Sequence, residues 1–460
     1  MDSQSEETEV IGLAVKYPYD ARGTVLNEGE FWLRNFSATC IGGWTSELRV
    51  HAKGLNVLTH PNGMESRVRG RESRVPFLAR LKHFTWANFT LPMSTGGLAL
   101  LLADETQGFT FRGLQTIGKV VYILDLVLFT LVVSAITYRF VKFPGTLKKS
   151  VVHPTEGLFL GTSTLSLASI ISGIAKYGIP SCGPWLITVY RILFWIYFAV
   201  TFIIAVGQYA LLFTSPKLKL SDMTPAWDLP VFPFMLSGTI AATGAGLQPP
   251  DQAVPIIVAG LGAQGFGLLV SIFIYSGFVS RLIQYGFPAP NSRPGMFIAV
   301  GPPAFTGLAL VGLANSMPNH YNVFGPDEIT IQVLRILATT ICIFIWFLSL
   351  WFFCIAAVAN LAVWREISFH LNWYSYIFPN VGFTIAVISV GKMLKSPGMI
   401  GTGSAMTALL VIGWLVIVAN HIRAVWNGQI LADGKDEDYY VNEKNHRHVK
   451  SFGIDEDKQE

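Results

Sequence analysis

Long apolar stretches alternate with short polar connections through most of this chain. A helix needs about 20 residues to cross an apolar membrane core of about 30 Å. Stretches that exceed this length indicate tilt or extension beyond the bilayer. Ten stretches are long enough: residues 84–104, 117–141, 156–176, 184–213, 229–248, 253–284, 295–316, 329–364, 371–393 and 399–425. The pattern predicts an all-α polytopic membrane protein with ten transmembrane helices.

The two ends of the chain differ from this middle part. Residues 1–75 are polar and mixed, without a sustained helical period, and predict a poorly ordered N-terminal arm. Residues 76–427 hold the ten apolar stretches, and residues 428–460 form a charged C-terminal tail. The first residues do not resemble a cleavable signal peptide, so we expect the first helix to direct membrane insertion.

The odd-numbered stretches are rich in Gly, Ser and Thr, whereas the even-numbered ones are plain Leu, Ile, Val and Phe helices. Proline kinks a helix and frees a backbone carbonyl, which a membrane tolerates only beside packed helices or a polar cavity. Four odd stretches carry such prolines: Pro92, Pro233, Pro302 with Pro303, and Pro379. We therefore predict five helical hairpins whose small-residue helices line a central path. The alternative is that Gly and Ser only permit close helix packing.

The small-residue helices also supply candidate groups for the wall of the path. An uncharged wall suits weak binding of an anion, with helix dipoles and freed amides giving a positive potential. Phe232 and Phe378 directly precede a proline, where a phenyl ring either closes a narrow path by excluding water or simply packs. The polar candidates are Thr95, Thr162, Ser163, Ser237, Thr306, Asn380 and Thr384.

Charge is scarce and unevenly placed. Only 13% of the residues are charged, against about 25% in soluble domains, which excludes an ordinary soluble enzyme. The formal net charge of +4 gives no reason to expect nucleic acid as a partner. Connections on the N-terminal side of the membrane hold nine Lys and Arg residues and those on the other side five, which predicts that both ends are cytosolic. Candidate groups that attract anions to the cytosolic mouth, or that anchor the helices, are Arg80, Lys82, His83 and Arg293.

Two carboxylates near the membrane have specific expectations. Asp125 lies inside the second stretch, where it either pairs with Lys119 or Arg191 or relays protons. Glu156 begins the third stretch, where a carboxylate complements the helix dipole. The sequence has no HExxH, GxSxG or CxxC motif, so we expect no catalytic residue, metal or cofactor.

Several short motifs resemble the fungal malate permeases, the malic acid transporters of the tellurite-resistance/C4-dicarboxylate transporter family. They are RLKHFTW at 80–86, PAW at 225–227, RPGMF at 293–297, VGPPAFTGLAL at 300–310, FPNVGF at 378–383, GKM at 391–393 and GKDED at 434–438. The resemblance covers about residues 76–440. It implies five hairpins around a quasi-fivefold pore, Phe378 as the pore gate, and a homotrimer.

The resemblance also implies small organic anions, such as malate and related C4-dicarboxylates, as substrates at the plasma membrane. Entry of a dianion into a cell against about 100 mV costs about 4.6 kcal/mol of free energy, because each charge costs about 2.3 kcal/mol. Uptake is therefore expected to be coupled to protons or to carry the monoanion. The wider family makes an anion channel or a sulfite efflux pump the alternative.

Overall fold

A computed structural model describes residues 77–153, 155–214, 219–318 and 327–431. The predicted arm of residues 1–75, and residues 432–460 of the predicted tail, lie outside the described residues, as does the GKDED motif. All regular structure within the described ranges is helical. The ten helices that correspond to the ten predicted stretches are labelled α1 to α10.

The odd-numbered helices are mostly short. They are α1 (Thr90–Leu101), α3 (Leu160–Gly173), α5 (Phe232–Gly244), α7 (Gly301–Asn315) and α9 (Phe378–Met393). The even-numbered helices are much longer: α2 (Leu114–Lys142), α4 (Trp185–Phe213), α6 (Pro250–Tyr285), α8 (Asp327–Leu361) and α10 (Pro397–Trp426).

Eight helical segments in the described part of the chain are long and apolar enough to cross a membrane. Three of them combine an odd-numbered helix with the short helical turns before or after it: Glu156–Cys182, Pro290–Asn315 and Leu371–Met393. The first and fifth predicted stretches form shorter α-helices than expected, since α1 has 12 residues and α5 has 13. The structure is thus that of a helical, multi-pass membrane protein.

The prolines stand at the beginning of the α-helices rather than in their middle. Pro233, Pro302 and Pro379 occupy the first or second helical position of α5, α7 and α9, and Pro92 is the third residue of α1. A 3-10 helix precedes α1, α7 and α9. Proline has no N–H, and the first turn of a helix has no intrahelical acceptor for one, so these positions tolerate it. The break in each segment therefore falls just before its proline.

The two sets of helices occupy different layers. In the most apolar part of each long even-numbered helix, between 22% and 39% of the residues are buried. The corresponding share is 72% to 83% for the segments that contain α3, α7 and α9. The small-residue helices therefore form the interior, and the plain helices present their large apolar side chains outward, as lipid-facing helices do.

The five inner helices contact one another in a closed order. α1 packs against α3, α3 against α5, α5 against α7 and α7 against α9, and α9 packs back against α1. Each inner helix also contacts the long helix that follows it in the chain. The contacts thus close a cycle of five inner helices, called the inner ring below, and each of them packs on the long helix that follows it.

Tyrosine hydroxyls tie the outer layer to the inner ring. Tyr190 and Tyr197 of α4 donate to the carbonyls of Ile240 and Pro233 in α5, at 2.6 and 2.8 Å. Tyr122 of α2 donates to the carbonyl of Ile170 in α3 at 3.0 Å. These bonds satisfy backbone oxygens of the inner helices that lie away from water.

Candidate functional site

Three phenylalanine rings meet inside the ring of inner helices. The rings of Phe305 and Phe378 are stacked, with centroids 5.2 Å apart and an interplanar angle of 27°. Phe232 meets both edge-on, at 5.8 Å from Phe305 and 6.3 Å from Phe378. The three residues come from α5, α7 and α9, and all are buried. This group, called the phenylalanine cluster below, packs three apolar rings from three helices against one another.

Glycines on neighbouring helices make room for these rings. A Cβ atom added to Gly301 would lie 2.6 Å from the Phe232 ring, and one added to Gly382 would lie 2.7 Å from the Phe305 ring. Gly97 of α1 faces Phe378, where an added Cβ would lie 3.0 Å from the ring. Contacts this short require the absence of a side chain, so the glycines fix where the rings can sit.

A cavity of about 70 Å³ lies against one side of the phenylalanine cluster. All five inner helices contribute to its wall, and Phe305 and Phe378 are part of it. The polar side chains of the wall are all uncharged hydroxyls: Thr106, Ser169, Ser172, Thr239 and Thr243. Ser169 and Thr243 donate to the carbonyls of Ser166 and Thr239, whereas the Thr239 hydroxyl has no partner among the described residues and can donate to an anion without holding it tightly.

Of the predicted path residues, Phe378 is part of this cavity wall. Several predicted hydroxyls instead bond to nearby backbone carbonyls: Thr162 to Phe159, Ser163 to Leu160, Thr306 to Pro302 and Thr384 to Asn380, each at 2.7 Å. The Thr95 hydroxyl donates to Leu91 and accepts from the Trp414 indole of α10. Ser237 Oγ and Asn380 Oδ1 are buried and find no hydrogen-bond partner in the part of the chain that the structure describes. The role of these residues in transport stays a prediction.

The predicted cations of the mouth differ in their surroundings. Arg80 donates to the carbonyls of Val425, Ile430 and Leu431 at the end of α10. Arg293 donates to the carbonyls of Pro288 and Ala359. These two guanidinium groups therefore join chain segments. Lys82 is exposed, whereas His83 is partly buried.

The two carboxylates also differ. Glu156 accepts hydrogen bonds from Arg139 at 2.5 Å and from Ser150 at 2.7 Å, so it forms an ion pair as well as beginning the segment of α3. The pairing of Asp125 with Lys119 or Arg191 is wrong. Asp125 is fully buried, and neither of its carboxylate oxygens has a hydrogen-bond partner among the described residues.

Several residues of this site are not predicted by the sequence. Phe305 lies in the VGPPAFTGLAL motif but follows its prolines, whereas the predicted gate rings directly precede a proline. Ser169 and Ser172 of α3, and Thr239 and Thr243 of α5, recur at helical spacing. This repeat is the signal that would have placed them on one face.

Comparison with known proteins identifies the family to which the chain belongs. Residues 83–422 match the family described as "Voltage-dependent anion channel" (SLAC1). The chain belongs to this family of membrane transport proteins.

Relatives in this family fall into two groups. The chain is 38% identical to the "Malic acid transport protein" of Schizosaccharomyces pombe over 367 residues, which cover 79% of this chain and 83% of the relative. It is 25% identical to the "Sulfite efflux pump SSU1" of Trichophyton rubrum over 338 residues, which cover 72% of this chain and 88% of the relative. A sulfite efflux pump of Arthroderma benhamiae has the same identity and coverage.

Proposed function

We propose that this protein carries C4-dicarboxylates, malate first among them, across the plasma membrane with both chain ends in the cytosol. The observation that supports this most is the 38% identity to a malic acid transport protein over most of both chains. The uncharged cavity among the inner helices is in keeping with a small organic anion as the substrate.

In this proposal, the ten helices form five hairpins, and the anion passes through the centre of the inner ring. The closed order of contacts among α1, α3, α5, α7 and α9 supports such a path. The phenylalanine cluster is its gate, since three apolar rings exclude the water that a charged solute carries. Phe378 is the principal gate residue because its ring lies both in the cluster and in the cavity wall.

The membrane potential sets the form in which the substrate enters. Entry of a dianion against about 100 mV costs about 4.6 kcal/mol of free energy, whereas entry of a monoanion costs about half as much. Uptake therefore carries the monoanion, or the dianion together with protons, and is expected to be fastest at acidic external pH.

Radiolabelled malate uptake in transport-deficient cells tests the proposal. We expect uptake at acidic external pH that declines toward neutral pH. Absence of uptake at every pH, in cells where surface labelling detects the protein, would contradict malate transport.

The gate is tested with a pair of variants. Phe378→Ala is expected to raise malate flux about tenfold, which corresponds to a barrier lower by about 1.4 kcal/mol. Phe344→Ala removes the same group from α8, where the ring is 80% exposed, and is expected to leave flux unchanged. Equal flux in both variants and the parent protein would exclude Phe378 as the gate.

The wall of the cavity also supports a second function, an anion channel or a sulfite efflux pump. None of its lining residues is a cation that could pair with the second carboxylate of malate. A less selective anion path needs no such group. A large, voltage-driven and pH-independent chloride current would favour the channel, and sulfite resistance on expression would favour the efflux pump.

A further inference from the structure

Asp125 is a buried carboxylate that the site described above leaves without a role. It lies in α2, and its relative exposure is 0%. Both carboxylate oxygens are buried without a hydrogen-bond partner among the described residues. An ionised carboxylate costs several kcal/mol to bury without a counter-charge. The negative charge of Asp125 must therefore be neutralised by a bound proton or solvated by water from the cavity.

A second buried carboxylate shows that this state is unusual within the same fold. Asp228 is also fully buried, but its Oδ2 accepts hydrogen bonds from Ser271 at 3.0 Å and from Tyr275 at 2.9 Å. Donors from α6 thus satisfy one oxygen of Asp228, whereas its Oδ1 has no hydrogen-bond partner among the described residues. Asp125 has no such donors.

A pair of glycines places Asp125 next to the transport path. A Cβ added to Gly96 would lie within 2.5 Å of both Asp125 Oδ2 and Ser169 Oγ, so these two oxygens approach the same point. Ser169 belongs to the cavity wall. The next residue, Gly97, faces the Phe378 ring. This short stretch of α1 therefore contacts both the carboxylate and the Phe378 ring, and the carboxylate lies close to Ser169, which lines the cavity.

The groups around Asp125 do not supply a counter-charge. On its own helix the nearest titratable side chain is Tyr122, whose hydroxyl donates to the Ile170 carbonyl. On the segment that follows α3, Tyr177 stacks on Tyr122 and donates to the Ala99 carbonyl. α1 faces Asp125 with a glycine and α3 with a serine. Among the described residues, no lysine, arginine or histidine forms an ion pair with it.

We propose that Asp125 is a proton-binding site that controls entry of the anion into the cavity. The inference rests on the proposed anion transport and names its control. The site takes one proton from water in the cavity, beside Ser169, and returns it to water there. With the proton bound, the wall beside the gate is neutral and the anion enters. Without the proton, the carboxylate adds a negative charge next to the path and repels the anion.

Purified protein in liposomes provides the test. Flux is first measured for malate, sulfite and chloride with equal pH on both sides of the bilayer, and the anion with the largest flux is followed from acidic to alkaline pH. Each rate is divided by the concentration of the monoanion at that pH, so that neither a proton gradient nor titration of the substrate itself contributes. For the parent protein we expect this corrected flux to fall by about tenfold or more as pH rises, because a like charge beside the path opposes anion entry. Asp125→Asn, which keeps the neutral form at every pH, is expected to hold the acidic-pH flux throughout.

Two controls separate titration of Asp125 from a change in packing. Asp125→Glu retains a titratable group and is expected to keep a pH-dependent flux. Asp251→Asn removes an exposed carboxylate in the first turn of α6 and is expected to keep the pH profile of the parent protein. An Asp125→Asn protein that folds, as judged by size-exclusion chromatography, and retains the parental pH profile would overturn the inference.

A measurement on the parent protein covers the case in which Asp125→Asn does not fold. Dicyclohexylcarbodiimide modifies protonated carboxyl groups in apolar surroundings. The adduct is neutral and cannot ionise, so peptide mass spectrometry is expected to find it on Asp125 and the flux that remains is expected to stop varying with pH. A parental pH profile with Asp125 modified, or modification confined to other carboxyls, would contradict the inference.

The inference and the proposed function fail in different ways. If malate is not carried but sulfite or chloride is, the proposed substrate is wrong, while the pH profile of the transported anion still tests Asp125. If malate is carried with a flux that does not change with pH in the parent protein, the role of Asp125 is wrong and malate transport stands.

Discussion

The inner helices and the outer helices of this protein are both apolar, yet they solve different physical problems. The outer helices present large side chains outward, and a side chain that faces lipid can change with little effect on its neighbours. The inner helices are built from Gly, Ser, Thr and Pro, and their side chains contact protein on nearly every side. The length of an apolar segment therefore places it in the membrane, whereas the size of its side chains decides whether it lies in the inner or the outer layer.

The phenylalanine cluster is where this contrast is expected to be largest. Phe305→Ala removes a ring that packs on Phe232, Phe378 and Gly382, so it is expected to lower the free energy of unfolding by about 3–5 kcal/mol. Phe344→Ala in the outer layer is expected to change it by less than about 0.5 kcal/mol. Equilibrium unfolding of the purified proteins in detergent measures both. Similar decreases in the free energy of unfolding for the two variants would contradict the proposed difference between the inner and outer layers.

Glycine positions provide the next test. A Cβ on Gly161 of α3 would clash with the Leu229 carbonyl oxygen and lie 3.0 Å from its carbon. Gly161→Ala is therefore expected to lower the free energy of unfolding by about 1–3 kcal/mol, since backbone cannot move aside easily. An added Cβ at Gly262 of α6 meets nothing within 4 Å. Gly262→Ala is expected to be neutral or stabilising by up to about 1 kcal/mol, and an inner variant as stable as this outer one would argue against close packing of the ring.

The hydrogen bonds between the layers carry the smallest expected effect. Tyr197→Phe deletes the hydroxyl that bonds to the Pro233 carbonyl at 2.8 Å, and this loss is expected to lower the free energy of unfolding by about 1 kcal/mol. Tyr285 at the end of α6 is 55% exposed, so Tyr285→Phe serves as its control and is expected to be neutral. The difference in the free energy of unfolding between these variants, measured by the same experiment, gives the contribution of this hydrogen bond between the outer and the inner layer.

Particular residues show how far the sequence predicts the site. Phe232 and Phe378 were selected because each directly precedes a proline, and the structure places both rings in one cluster. Phe305 was missed, because its ring reaches that cluster only through the position of α7 relative to α5 and α9. The sequence predicts Asp125 as an intramembrane carboxylate, but neither of its expected partners, Lys119 and Arg191, bonds to it. The structure instead places it beside Gly96 and Ser169, on helices α1 and α3.

The sequence by itself determined the class of protein, the long lipid-facing helices and the small-residue character of the inner ones. These properties depend on local composition and on the length needed to cross a bilayer, and neither requires knowledge of distant contacts. It is the fold that places the prolines at the start of the inner α-helices, brings three rings from three helices together, and leaves Asp125 without a hydrogen-bond partner among the described residues. Such features depend on distances between segments far apart in the chain, which side-chain packing sets and local pattern does not encode.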